Sequence, residues 1–282
     1  MSAQRVVVGV DGSAPSFGAL DAAAIESQRR TADLEVVYCV ADLDEGGPIL
    51  RAAASRVAKR HPGLTVNATA VVGDPADVLV ERGRDVVLTV VGSRGIGGFA
   101  GLMVPSVSHR VAARADVPLL VVKGTDARHT SPRIRREGVL LALENDDDAD
   151  AALFAFEEAE LRHAQVDVPH VWTYRQALLE TLDPHPTVPA QERIPRRTAA
   201  SAALPGEFVT PSRLAYPRRE FGTRPVRSTP CRDLIAATAD AELVVIAAHR
   251  RRNRLRIQLE PLTRALLHHA QCPVAIVPAP EG

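Results

Sequence analysis

The sequence predicts an α/β protein of two doubly wound five-stranded parallel-sheet domains in tandem, and three observations carry that prediction. Continuous apolar runs such as "RVVVGV", "LEVVYCV", "VVLTVVG" and "PLLVVK" lack polar alternation, as strands buried on both faces do. Alanine-rich amphipathic stretches lie between them, beginning with "SFGALDAAAIESQRR", and strands joined by helical crossovers form parallel sheets. The chain also repeats itself. Residues 73–122 laid over 228–277 match without a gap, setting Pro75 on Pro230, Asp85 on Asp240 and Pro118 on Pro273.

The elements follow in order. "RVVVGV" is the first strand and ends at Asp11-Gly12-Ser13; a helix and the second strand, "LEVVYCV", come next. "TVNATAVV" alternates more and so reads as a strand near an edge. "GDPADVLVERGR" starts a helix cleanly, with Asp74 as N-cap and Pro75 at the first helical position. The fourth strand, "VVLTVVG", runs into a glycine-rich loop, after which Pro105-Ser106-Val107-Ser108 opens a helix that leads to the fifth strand. The polar stretch "GTDARHTSPRIRREG" separates the halves. The expected division is 1–127 for the first domain, 128–137 for a linker and 138–282 for the second domain. The front ends also match, "GVDGSAPSFGALDAA" over "ALENDDDADAALFAF", at a smaller offset, so the second half carries about twenty extra residues. The proline-rich segment 175–222 accounts for them and reads as a long surface excursion.

Composition narrows the function. Net charge is zero, which provides no basic field for nucleic acid or an anionic membrane. Cys39, Cys231 and Cys272 are scattered and suit small buried filler in a reducing cytoplasm. No CxxC or HExxH spacing suggests a metal. The short apolar run at the N-terminus is too brief for a signal peptide, so the expectation is a cytoplasmic protein.

Ligands of doubly wound sheets lie beyond the carboxyl ends of the strands, where the strand order reverses. Asp11 follows the first strand directly. Two readings stand for it: an acceptor for an adenine amine or ribose hydroxyl, and a plain turn residue, since Asp-Gly is a common turn pair. Gly92-Ser93-Arg94-Gly95 and the Ser106 to Ser108 helix start could cradle phosphate through backbone N–H groups; a plain loop with a serine cap is the alternative. His61 and His109 have no nucleophile partner in the sequence and read as structural.

Together "VVVGVDGS", "GDPADVL" and "VGSRGIGGFAGLM" followed by "PSVS" resemble a universal stress protein domain, and the doubled chain resembles the tandem members of that family. The resemblance implies an adenine nucleotide alpha-hydrolase-like fold with ATP in the first half, Mg²⁺ being an allowed companion. Gly9, Asp11 and the backbone near Val40 would hold the adenosine. Gly92, Arg94, Gly95, Gly98, Ser106, Val107 and Ser108 would hold the phosphates. It also implies that "PLLVVK" and "PVAIVPA" meet across a pseudo-twofold within one chain, while a homodimer stays open. One position departs from the family pattern: Pro105 stands where a glycine is expected. Proline has no N–H to donate, and a hydrogen bond to a charged group is worth roughly 1.5–3 kcal/mol, on the order of a ten- to hundredfold weakening.

In the second half Glu144 replaces Asp11, Ala247 and Arg250 replace Gly92 and Gly95, and Pro261 replaces Ser106. Three aspartates beside Glu144 would repel a triphosphate. The five arginines between Arg250 and Arg256 read either as solvated surface or as a grip for an anion. The function expected is a stress-response ATP-binding regulator, non-catalytic, with nucleotide in the N-terminal domain only. A nucleotide-free scaffold and a slow ATP hydrolase are the alternatives.

Overall fold

The computed structural model describes residues 4–42, 46–93, 106–123, 138–143, 148–169, 221–224, 230–253 and 256–279. The first half supplies β1 (Arg5–Val10), α1 (Ala14–Arg30), β2 (Asp33–Val40), α2 (Gly47–Arg60), β3 (Val66–Val72), α3 (Pro75–Arg82), β4 (Leu88–Gly92), α4 (Val107–Ala112) and β5 (Leu119–Val122). The second supplies β6 (Val139–Ala142), α5 (Ala149–Arg162), β7 (Val166–Pro169), β8 (Phe221–Arg224) and α6 (Pro230–Ala237). It continues through β9 (Leu243–Ala248), β10 (Arg250–Asn253), β11 (Arg256–Leu259), α7 (Pro261–His269) and β12 (Val274–Pro278).

Ten strands form one sheet in the order β3-β2-β1-β4-β5-β12-β9-β6-β7-β8. Within each half every pairing of this sheet is parallel, and the halves join through β5 and β12, which pair antiparallel with Leu120 opposite Ala275. The implied meeting of the two last strands is thus present. It hides two apolar edges that would otherwise be open to pairing with another chain. The repeat read from the sequence reappears as register: Val6 pairs with Leu88 in the first half, and Val139 with Leu243 in the second. "TVNATAVV" lies at the outer edge as expected, and its counterpart β8 starts at Phe221, inside the last residues of the excursion.

Alternate residues of each strand feed opposite cores. Val6, Val8 and Val10 pack beneath α1, α2 and α5, whereas Val7 belongs to the core that includes Leu79, Val111, Leu234 and Leu266 from α3, α4, α6 and α7. Both cores run across the β5–β12 seam without a break: Leu120 and Ala275 belong to one, Leu119 and Val274 to the other.

A closed set of charges sits where α1 and α5 meet. Arg30 bonds to Glu26 on its own helix and to Glu158 on the other; Arg162 bonds to Glu158 on its own helix and to Glu26 across the seam. Both glutamates and both arginines are buried. Burial pushes the Glu26 carboxyl up, but Arg162, Arg30 and Arg29 outweigh it and hold the group below the ordinary carboxylate range. Arg29 adds an ion pair to Glu242 at 2.9 Å.

Candidate functional site

The order of the first half, 3-2-1-4-5, reverses direction between β1 and β4, and the site is sought at their carboxyl ends. Val8 pairs with Val90, which brings the residues after Val10 beside Gly92. Gly12 takes a φ of +81°, a left-handed conformation that glycine adopts without a Cβ clash, and this turns the chain from β1 into α1. Asp11 organises that turn. Its Oδ1 accepts the Ser13 backbone N–H at 3.0 Å and the Ser13 hydroxyl at 2.5 Å, while the Asp11 N–H donates to Ser16 Oγ at 3.2 Å. Ser13 in turn caps α1 by accepting from the Ser16 N–H.

Gly9 answers to packing. A Cβ built there would sit 2.8 Å from Leu79 Cδ1, so the glycine admits the α3 side chain close against β1. Val40 ends β2, buried and paired with Val72. Beside it, Cys39 is half-buried; burial, then the negative charge of Asp74, pushes its thiol up and leaves it a poor nucleophile. Asp74 caps α3 through the N–H groups of Ala76 and Asp77, and it also receives both guanidinium nitrogens of Arg110 at 2.8 and 2.7 Å. The Arg110 bonds are the largest of the influences that hold its carboxyl below the ordinary range.

At the end of β4, Gly92 pairs with Val122, and the Ser93 N–H donates to the Val122 carbonyl at 2.8 Å. Arg94, Gly95, Gly98 and Pro105 lie outside the described residues. Ser106 is the N-cap of α4, Val107 is exposed at its first position, and Ser108 is buried. Ser106 Oγ lies 2.9 Å from Ser108 Oγ and 2.8 Å from His109 Nδ1. The sequence expectation for His109 is a structural role, and i,i+3 spacing from the capping Ser106 sets the two side chains side by side.

The second half differs at the matching place. His249, directly after β9, shares a contact of 2.5 Å with Asp148, the buried N-cap of α5. The arginine-rich stretch forms the antiparallel hairpin β10–β11 where the first half has its glycine loop, an element absent from the sequence expectation. Glu144 lies outside the described residues.

A family model described as the universal stress protein family matches residues 43–123 and 136–278. The chain belongs to that family. Universal stress protein Rv2005c of Mycobacterium tuberculosis is 28% identical over 299 residues, covering 96% of each chain, so the tandem arrangement is shared along nearly the whole length. Universal stress protein Rv2623 of the same organism is 36% identical over 132 residues, 42% of this chain and 44% of its own. Among solved structures, a universal stress protein from Archaeoglobus fulgidus superimposes with a TM-score of 0.59 at 13% identity, covering 99% of both chains. The doubled universal stress fold is therefore shown over the whole chain. Among the described residues no helix is long and apolar enough to cross a membrane, and no group of acidic, histidine or cysteine side chains could hold a metal.

Proposed function

We propose that this universal stress protein is a stress-response regulator that binds ATP in its first half alone and acts through that occupancy without turning the nucleotide over. The observation that carries the reading is the neighbourhood of the Asp11 turn and Gly92 at the reversal between β1 and β4, followed in the chain by the Ser106 hydroxyl. The described residues suit the two ends of an adenine nucleotide. A carboxylate at the end of β1 is an acceptor for amine or hydroxyl hydrogens, and hydroxyl and N–H groups where α4 begins are donors for an anion. Those donors would stabilise the phosphate charge that ATP brings. Arg94, Gly95, Gly98, Val107 and Ser108 belong to the same proposed set through the family resemblance.

Among the described residues the second half offers no matching set. It has Ala247 for Gly92 and Pro261 for Ser106, and its strand end carries the Asp148–His249 pair. The absence of turnover is proposed because Asp74, an acid that phosphoryl transfer could otherwise use, is committed to its helix cap and to Arg110.

Calorimetry with ATP, with and without Mg²⁺, tests the reading. One nucleotide per chain is expected, with Asp11→Ala weakening binding about tenfold. A stoichiometry of two would overturn the single-site assignment, and no heat at millimolar ATP would leave a nucleotide-free scaffold. Mg²⁺-dependent phosphate release above background would overturn the non-catalytic part.

A further inference from the structure

His109 faces the proposed anion end without touching any group the reading above requires except Ser106. Ser106 Oγ accepts the His109 backbone N–H at 3.4 Å, and its other two neighbours are His109 Nδ1 and Ser108 Oγ. A hydroxyl owns one proton and two lone pairs. The cap N–H takes one lone pair, so the imidazole and Ser108 compete for the remaining lone pair and the proton. If Nδ1 is bare, it accepts the Ser106 proton and holds it inward. If Nδ1 carries hydrogen, it fills the lone pair, and the serine proton is free to turn outward.

The ring is held so that this choice persists. It packs against the ring of His268 of α7, tilted by 43° with ring centroids 5.0 Å apart, and its Nε2 is buried with no hydrogen-bond partner. Nε2 has no partner in either tautomer, as an unpaired donor when Nδ1 is bare and as an unpaired acceptor when Nδ1 carries the hydrogen. The decision falls to what Ser106 meets.

We propose that His109 is a positioning residue for the anion end of the nucleotide: with hydrogen on Nδ1 it fills Ser106 Oγ and presents the serine proton to a phosphate oxygen. This rests on the nucleotide reading of the first half. The charged groups facing the ring are Arg264 and His268 of α7 and Lys123 after β5. Burial first, then those positive neighbours, lowers the ring from 6.5 to about 4, so near neutral pH it is uncharged and the switch is between tautomers. A bound anion acts in the opposite sense. It raises the ring's pKa, so binding takes up protons and affinity climbs as pH falls from neutrality towards 4.

The test is ATP calorimetry between pH 5 and 8 on the full chain with His109→Leu and His109→Asn, joined to ¹⁵N spectra of the histidines. Asparagine can offer an amide N–H where Nδ1 stood, and it shares with the wild type the titration of the nucleotide itself. His109→Leu should bind about tenfold more weakly, and His109→Asn within about threefold of the wild type. The wild type should gain affinity over His109→Asn as pH falls, and Nδ1 should be protonated in the loaded protein. Should His109→Leu fail to fold, the asparagine variant and the spectra still decide. Equal binding by wild type and His109→Leu, or a bare Nδ1 in the loaded protein, overturns the role of His109 alone. If the wild type takes up no ATP at millimolar concentration, the nucleotide reading falls first and this role with it.

Discussion

Asp11 carries two demands on one side chain. The Asp-Gly turn reading is realised in its Oδ1 bonds to Ser13, and the same bonds fix the direction of the carboxylate at the end of β1. A turn residue and a ligand acceptor are therefore compatible, which the sequence alone left as alternatives. Gly9, which the resemblance places in the nucleotide site, also has a packing reason to be glycine, because the atom a Cβ would meet belongs to Leu79. That contact depends on where α3 packs, and no local pattern around Gly9 encodes it. Pro105 is the residue whose consequence is most directly testable. Pro105→Gly restores one N–H at the start of the Ser106 segment, and ATP should then bind about tenfold more tightly, measured by calorimetry. Unchanged affinity would mean that the backbone there makes no phosphate contact.

At the scale of the element, the two halves stop their first helix in the same way. Thr31 after α1 and His163 after α5 both take left-handed backbone, each at a φ of 53°. Their N–H groups satisfy carbonyls of the last turn, such as that of Gln28 for Thr31, so the stop works through backbone geometry. Threonine is strained there because of its branched Cβ. Thr31→Gly should raise stability by about 1 kcal/mol, less whatever flexibility glycine adds to the unfolded chain. His163→Gly should do the same by a smaller amount, and a fall in the urea midpoint of Thr31→Gly would contradict the strain argument. Helices and inner strands were legible because their apolar periodicity reports burial directly, and Asp74 with Pro75 marks a helix start by chemistry alone. The second strand of the β10–β11 hairpin carries a signal that the sequence expectation passed over, since Leu255, Ile257 and Leu259 alternate with Arg256 and Gln258, whereas the first, "RRRN", shows no apolar face. The excursion before β8 hid that strand for a related reason: four residues, "FGTR", carry too little pattern to stand out from their surroundings.

Across the whole molecule, the pairing of halves explains residues that look ordinary in sequence. Glu26 with Arg30 and Glu158 with Arg162 read as exposed i,i+4 helix pairs, worth a few tenths of a kcal/mol. Joining β5 to β12 brings α1 against α5, and the two pairs become one buried alternating ring. By itself that ring is symmetric and would serve two identical halves equally well. Arg29 and Glu242 break the symmetry, because their repeat positions hold Leu161 and Val87, so their ion pair forms only between unlike halves. The ring also makes a prediction that separates pairing geometry from mere charge content. Exchanging the charges on α1 alone, Glu26→Arg with Arg30→Glu, keeps the net charge but sets like charges against Arg162 and Glu158. Leaving buried charges mispaired costs about 3–5 kcal/mol, and the urea midpoint should fall accordingly. Adding Glu158→Arg and Arg162→Glu restores alternation all round the ring. Most of the loss should return, short of the wild type by two repulsions: Arg29 now faces a cation where Glu26 stood, and Glu242 faces a carboxylate where Arg162 stood. If the fourfold exchange is no more stable than the twofold one, the four side chains do not act as a ring, and the seam is held by its aliphatic core and the β5–β12 ladder alone.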